Sequence, residues 1–266
     1  MISTNAEHWH HLDQSWNQVK TVLGGLPIAN IGIDATAEQF VAIALQARGK
    51  NGLPFYSTSA NGQVIAMASQ EPEFKKLLLC ADQIHADGMP MVLLSRHVAK
   101  HPLTERVATT DLVHAVAREA AKAGVSFYFL GAQEEVNKLA VERMQEKYPS
   151  LIFAGRRNGY FSAEEEEAVI EDINRARPDI LWIGLGVPGE QKFVVRNLQK
   201  LRGIGVIKTS GGLFDFLSGK NSRAPEWMQN LGLEWLYRTM LEPRRLTRRY
   251  LVTNPIAVRE ILRNSK

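Results

Sequence analysis

From about Leu26 onward, short apolar runs rich in β-branched and aromatic residues alternate with stretches whose apolar positions recur at helical spacing. That alternation predicts a mostly parallel sheet covered by helices. The predicted strands are residues 54–59, 83–86, 125–130, 151–154, 179–185 and 205–208. The fold expectation is therefore α/β: a Rossmann-like, mostly parallel six-stranded sheet with helices on both faces. Thr36 with Gln39 and Ser162 with Glu165 have the spacing of a capping box and predict helix starts. Residues 111–123 place Leu112, Val116 and Ala120 on one helical face, and Gly124 predicts the stop. After Leu213 the strand alternation ends, and a Trp-, Leu- and Arg-rich helical segment follows. The domain expectation is an N-terminal extension (1–25), an α/β domain (26–213) and a C-terminal helical appendage (214–266).

Composition narrows the setting. The 266 residues are 45% hydrophobic and 23% charged, ordinary for a soluble globular chain able to bury a core. Cys80 is the sole cysteine, which rules out an internal disulfide or a cysteine-based zinc cluster and fits a reducing compartment. The N-terminus lacks the basic start and apolar run of a secretory signal. No uncharged apolar run reaches the roughly 20 residues of a membrane span, so a cytoplasmic protein with at most peripheral contact at the inner face of the cell membrane is expected. His8, His10 and His11 cluster, but their spacing matches no defined metal site.

Charge is uneven. Residues 238–266 carry eight of the 32 Lys/Arg and two of the 28 Asp/Glu, a net +6 that leaves the rest of the chain at −2. Such a tail suits an anionic membrane surface, a diphosphate or nucleic acid; the plainer reading is the solvated face of a helix. No aromatic-interleaved basic sheet or helix-turn-helix pattern supports nucleic acid, so none is expected as a partner. Self-association is left open.

Ligands of open α/β sheets sit beyond the carboxyl ends of the strands, which directs attention to the loops 57–61, 86–90, 184–191 and 208–216. Asp87 follows a strand end and precedes Gly88, a suitable place for a general base, although Asp-Gly is first of all a turn or helix-cap dipeptide. Gly211 and Gly212 follow the last predicted strand, where backbone N–H groups can approach a nucleotide diphosphate. Neither a G-x-G-x-x-G fingerprint nor a Walker A pattern is present, and no Asp-x-Asp pair suggests a metal bridging phosphates. Metal-independent chemistry with no cofactor is expected. Arg238, Arg245 and Arg248 would share one face of a continuous helix and could pair bidentately with phosphate, but Pro243 lies between them. They can equally form the polar side of an amphipathic helix around Trp235, Leu236, Met240, Leu241 and Leu246.

The run GGLFDFLSGKNSRAPEWMQNLGLEWLYRTMLEPRRLTRRY (211–250) closely resembles the C-terminal signature of the WecG/TagA/CpsF glycosyltransferases, with its RAP-W, GLEWLYR and EP-R elements in order. The resemblance extends back through GLGVPGEQKF, NGYF, FYFLGA, ERVATTDL, ADGMP and STSAN to about Ile28. It implies an inverting transfer of a hexose or N-acetylhexosamine, UDP-glucose or UDP-N-acetylmannosamine as donor, to a polyprenyl-diphosphate-linked sugar in exopolysaccharide or cell-surface glycan synthesis. By the same resemblance Asp87 is the general base, and Ser59 and Asn61 match a pocket-lining Thr-x-Asn element. Arg106 matches the arginine ahead of an Asp-Leu helix start, and Arg238, Arg245 and Arg248 match arginines of an appendage that engages diphosphate and closes over the site. The usual Pro-Lys-Gln-Glu motif reads Pro188-Gly189-Glu190-Gln191 here, so Glu190 and Gln191 share one assignment toward the donor. Together with Met89-Pro90, Thr109 and the TNP of 253–255, this departure aligns the chain more with a GumM-like exopolysaccharide subgroup than with the N-acetylmannosamine transferases. The alternative function is a catalytically silent sugar-nucleotide sensor.

Overall fold

The computed structural model describes residues 19–266; the histidines at 8, 10 and 11 lie outside them. The six expected strands are present as β3 (Phe55–Ala60), β4 (Gln83–Ala86), β5 (Ser126–Gly131), β6 (Ile152–Arg157), β7 (Ile180–Gly184) and β8 (Val206–Thr209). They form a single sheet in the order β4-β3-β8-β7-β5-β6, with every neighbouring pair parallel. An all-parallel sheet is covered on both faces, which is why its strands read as apolar runs rather than as alternating ones. One face packs against α1 (Ile33–Ala47), α5 (Thr109–Ala123) and α6 (Glu134–Lys147) around Phe40, Val116, Phe127 and Trp182. The other packs against α7 (Glu166–Ala176) and α8 (Gly189–Asn197) around Tyr56, Ile173, Leu181 and Phe193.

The N-terminal boundary differs from expectation. Residues 20–25, grouped with the extension by sequence, form an antiparallel hairpin of β1 (Lys20–Leu23) and β2 (Leu26–Ala29). Gly24 and Gly25 both adopt positive φ, as a two-residue hairpin turn matching the strand twist requires. The hairpin was missed because it adjoins N-terminal residues that carry no pattern. Leu23, Leu26 and Ile28 join a third apolar cluster with α2 (Gly62–Gln70), α3 (Pro72–Leu79) and α4 (Met89–Val98).

The helix-start expectations met mixed outcomes. α1 begins at Ile33 with Gly32 as its cap, so Thr36 lies inside the first turn and bonds back to the Gly32 carbonyl, while Gln39 accepts from Gln83 across the core. The Ser162/Glu165 pair forms one half of its capping box, the Ser162 amide donating to the Glu165 carboxylate at 2.8 Å. α5 ends at Gly124 in the left-handed conformation, and Leu112, Val116 and Ala120 are fully buried as their spacing predicts.

The C-terminal segment is helical, built from α9 (Leu213–Leu217), α10 (Glu226–Asn230), α11 (Glu234–Leu241) and α12 (Pro243–Arg263). Pro243 starts α12 after α11 has ended, where its fixed φ and missing N–H are harmless. Arg238 and Arg248 therefore stand on different helices, and the single-helix face considered from sequence does not exist. α12 packs along α2 and buries Ala257 and Ile261 in the hairpin cluster. Its end is tied down by Gly25 N–H to the Asn264 carbonyl (2.7 Å) and by Lys266 N–H to the Val22 carbonyl (3.1 Å). Both chain regions that flank the sheet in sequence thus share one core. Among the described residues no helix is long and apolar enough to cross a membrane.

At the amino ends of β5 and β7, Asp179 receives a bidentate pair from Arg48 (2.7 and 2.8 Å) and both the amide and hydroxyl of Ser126. Burial alone would raise its carboxyl, but the bonds from Arg48 and Ser126 outweigh that and hold it below the usual range. With a depressed folded value, its contribution is present above the unfolded value and is lost as pH falls through the folded one. Asp179→Ala should cost about 3 kcal/mol in urea unfolding at neutral pH, and its deficit relative to wild type should close below about pH 4.

Candidate active site

The chain leaves β3 toward β4 and leaves β8 toward α9, which packs on α6 at the other side of the sheet. Loops therefore diverge over the β3/β8 seam, the kind of crevice in which parallel sheets hold ligands. Asp87 stands at the tip of β4 beside it. Its amide donates to the Ala60 carbonyl (2.8 Å), which fixes the backbone, and its carboxylate accepts the Thr109 amide at the start of α5 (2.8 Å). The helix-cap reading of this aspartate is thus realised, yet the residue stays half-buried rather than sealed in the core. A carboxylate at the positive end of a 15-residue helix is stabilised in its charged form.

A chain of polar groups runs inward from it. Ser59 and Thr109 hydroxyls are 3.2 Å apart, and Lys208 Nζ donates to Ser59 Oγ at 2.6 Å. Strand register explains the grouping: Lys208 pairs with Ser57 and His85 pairs with Ser59, so all four side chains share one face of the sheet. Lys208 is fully buried. Burial pushes its ammonium down to about 8, against the pull of Asp87 and Glu190. His85, bonded to Ser57 through Nδ1, is pushed down by burial and by Lys208, and so stays neutral.

On the other side of the seam, Glu190 is buried and accepts the Gly211 amide at 2.9 Å. Burial raises its carboxyl to about 7 despite that bond and the Lys208 charge. Gln191 is also buried, within 3.4 Å of the Thr58 hydroxyl. Neither residue of the Glu190/Gln191 pair faces open solvent, so both brace the loop from beneath. Gly211 has its amide engaged, and Gly212 is exposed beside it. A Cβ on Gly184 would meet the Gly211 carbonyl and the Phe214 ring at 2.9 Å, so only glycine lets the β7 and β8 loops close to this distance. Asn61 caps α2 through the Val64 amide (3.1 Å), a structural use of the side chain that sequence grouped with the pocket.

The arginines divide into two groups. Arg106 donates to Asp111 (3.0 Å), Gln229 (3.1 Å) and Glu234 (3.2 Å), and Arg223 engages the same Asp111 and Gln229. Burial would lower the Arg223 guanidinium, but Asp111 holds it above its ordinary value. This cluster fastens α10 and α11 to the start of α5, one turn from Thr109. Arg106 is therefore largely spent on holding the C-terminal segment, and Arg223 faces Asp87 electrostatically. Arg238 lies over the Phe216 ring at 5.4 Å, Arg248 is exposed on α12, and the Arg245 side chain lies outside what the structure describes. In the same C-terminal segment Trp227, Leu231, Met240 and Leu251 are each at least 60% exposed, apolar side chains that the core does not use. Lys208, Asp111 and Arg223 were not singled out from sequence, and Thr109 was noted only as a departure from the family pattern. Lys208 offered a signal, a lysine ending an otherwise apolar strand run, that reads equally as the strand's polar end.

The model of the glycosyl transferase WecG/TagA/CpsF family matches residues 21–266. The N-acetylglucosaminyldiphosphoundecaprenol N-acetyl-beta-D-mannosaminyltransferase of Bacillus subtilis (strain 168) is 32% identical over 191 residues, 72% of this chain and 73% of that relative.

Asp111 is a carboxylate shared by Arg106 and Arg223, so Asp111→Ala should leave two partly buried cations with Glu234 as their remaining carboxylate partner. Hydrogen exchange in residues 226–241 is expected to quicken about thirtyfold, the equivalent of about 2 kcal/mol of local opening, while β5 keeps its protection.

Proposed function

The chain belongs to the WecG/TagA/CpsF glycosyltransferase family, and from that premise we propose an inverting, metal-independent transfer of a sugar from a UDP-sugar to a polyprenyl-diphosphate-linked sugar at a membrane surface. The observation that carries this reading is the half-buried Asp87 carboxylate over the β3/β8 seam, oriented by the Thr109 amide and faced by Lys208 and Arg223. A sugar hydroxyl is a poor nucleophile at neutral pH, and a positioned carboxylate taking its proton contributes about 10²- to 10⁴-fold. The hydroxyl oxygen attacks the anomeric carbon as the bond to the donor diphosphate breaks, so configuration inverts. Charge gathers on the departing diphosphate, where preorganised cations act most strongly. Gly212 and the arginines of the C-terminal segment, Arg238, Arg245 and Arg248, are assigned to it.

The relative's name favours N-acetylmannosamine as the transferred sugar and lipid-linked N-acetylglucosamine as acceptor. The Gly189-Glu190-Gln191 departure keeps glucose transfer in exopolysaccharide assembly as a second reading, which product masses from a UDP-sugar panel distinguish. The exposed apolar side chains from Trp227 to Leu251, with the exposed arginines Arg244 and Arg248, suit an interfacial surface with cationic contacts to anionic lipid.

Asp87→Asn should reduce transfer by at least about 10²-fold while UDP still binds within about threefold of wild type; a near-native rate would remove the base assignment. Replacing Arg245 and Arg248 with Glu should lower partitioning onto anionic vesicles by at least about tenfold in a sedimentation assay, and lower turnover of the lipid acceptor with it. Unchanged binding and turnover would reduce the segment to ordinary surface.

A further inference from the structure

We propose that Lys208 is a positioning residue for the transfer: its buried ammonium, acting through Ser59 and Thr109 on one side and on Glu190 beneath Gly211 on the other, couples the Asp87 carboxylate to the loop that receives the donor. This rests on the reading of Asp87 as the base.

A lysine is almost never fully buried without a direct carboxylate partner, because leaving water costs several kcal/mol. Lys208 is fully buried, and its hydrogen bond goes to a neutral hydroxyl, Ser59 Oγ, at 2.6 Å. That bond orients Ser59. An ammonium has only donors, so Ser59 uses an acceptor lone pair on it and keeps its own proton for Thr109 or an incoming oxygen. Thr109 in turn holds the Asp87 carboxylate through its amide. Hydrogen bonds link Lys208 to Ser59 and Ser59 to the Thr109 hydroxyl, and the Thr109 backbone amide holds Asp87, so the link to the proposed base passes through the Thr109 backbone.

The groups facing Lys208 are Asp87 from the loop after β4, Glu190 from α8 and the neutral His85 from β4. Arg223, from the C-terminal segment, also acts on Asp87 electrostatically, so two cations from different elements favour its charged form. Glu190 completes the array by gripping Gly211, so one buried cation lies between the two loops that must act together. A positioning role differs from a merely structural one in its kinetics: kcat and the alkaline limb are lost while the fold is retained.

The test uses the full chain with Lys208→Met and Lys208→Gln, UDP-N-acetylmannosamine as donor and short-chain polyprenyl-diphosphate N-acetylglucosamine as acceptor, across about pH 6 to 10. Wild-type kcat should fall on the alkaline side through about 8, where the Lys208 ammonium loses its proton. Both variants should unfold no more than a few degrees below wild type, lose at least about thirtyfold in kcat with donor KM within about threefold, and lack that alkaline limb. Lys208→Gln keeps a donor to Ser59 but no charge, so it reads the charge even where the Met variant does not fold. A Gln variant with wild-type kcat and a wild-type alkaline limb overturns the proposal. Asp87→Asn, run alongside, tells the two readings apart: inactive Asp87→Asn with an unchanged Lys208→Gln profile sinks this inference alone, whereas active Asp87→Asn sinks the base assignment beneath it.

Discussion

The hydrogen bond from the Thr109 amide to the Asp87 carboxylate joins the two halves of the site. On one side it fixes the tip of an edge strand; on the other it caps α5, whose first turn also carries Asp111, the anchor of the C-terminal helices. Orientation of the proposed base and placement of the C-terminal helices therefore depend on a single helix start. Moving Thr109 would disturb both.

The parallel sheet makes this economical. Its strands are buried on both faces, so polar groups needed for chemistry collect where the strands end and their loops diverge. Ser59, Asp87, Thr209 and Gly211 all lie at carboxyl ends, His85 is level with Ser59, and Ser57 and Lys208 lie level with each other below them on the same face. A buried polar column is costly unless satisfied, and among the described residues His85 Nε2 in this one has no hydrogen-bond partner. Strain of this kind concentrates at functional sites.

Periodicity made the fold readable. The central strands β5 and β7 were visible because a strand buried on both faces is a nearly continuous apolar run, and α5 was visible because Leu112, Val116 and Ala120 recur at helical spacing. The hairpin at 20–29 was not, being adjacent to residues without pattern. In the site, Asp87 was legible because Asp-Gly at a strand end is informative whether it caps or catalyses, and here it caps while remaining half-exposed. Glu190 and Gln191 were legible as a motif but not as buried braces, since burial comes from packing across distant segments. Arg106 and Arg223 share Asp111 across more than a hundred residues of chain, a long-range pairing that no local pattern encodes. The break between α11 and α12 was signalled by Pro243.

The central claim is that an acceptor hydroxyl is delivered to Asp87 beneath the C-terminal helices. Its most direct test is an experimental structure of the wild-type protein with UDP and a short-chain polyprenyl-diphosphate sugar bound together. The account predicts the attacking hydroxyl oxygen within about 3 Å of an Asp87 carboxylate oxygen, with the UDP diphosphate on the β8 side of the seam. A ternary complex that seats the acceptor sugar on another face of the sheet, with Asp87 still committed only to Thr109, would contradict it.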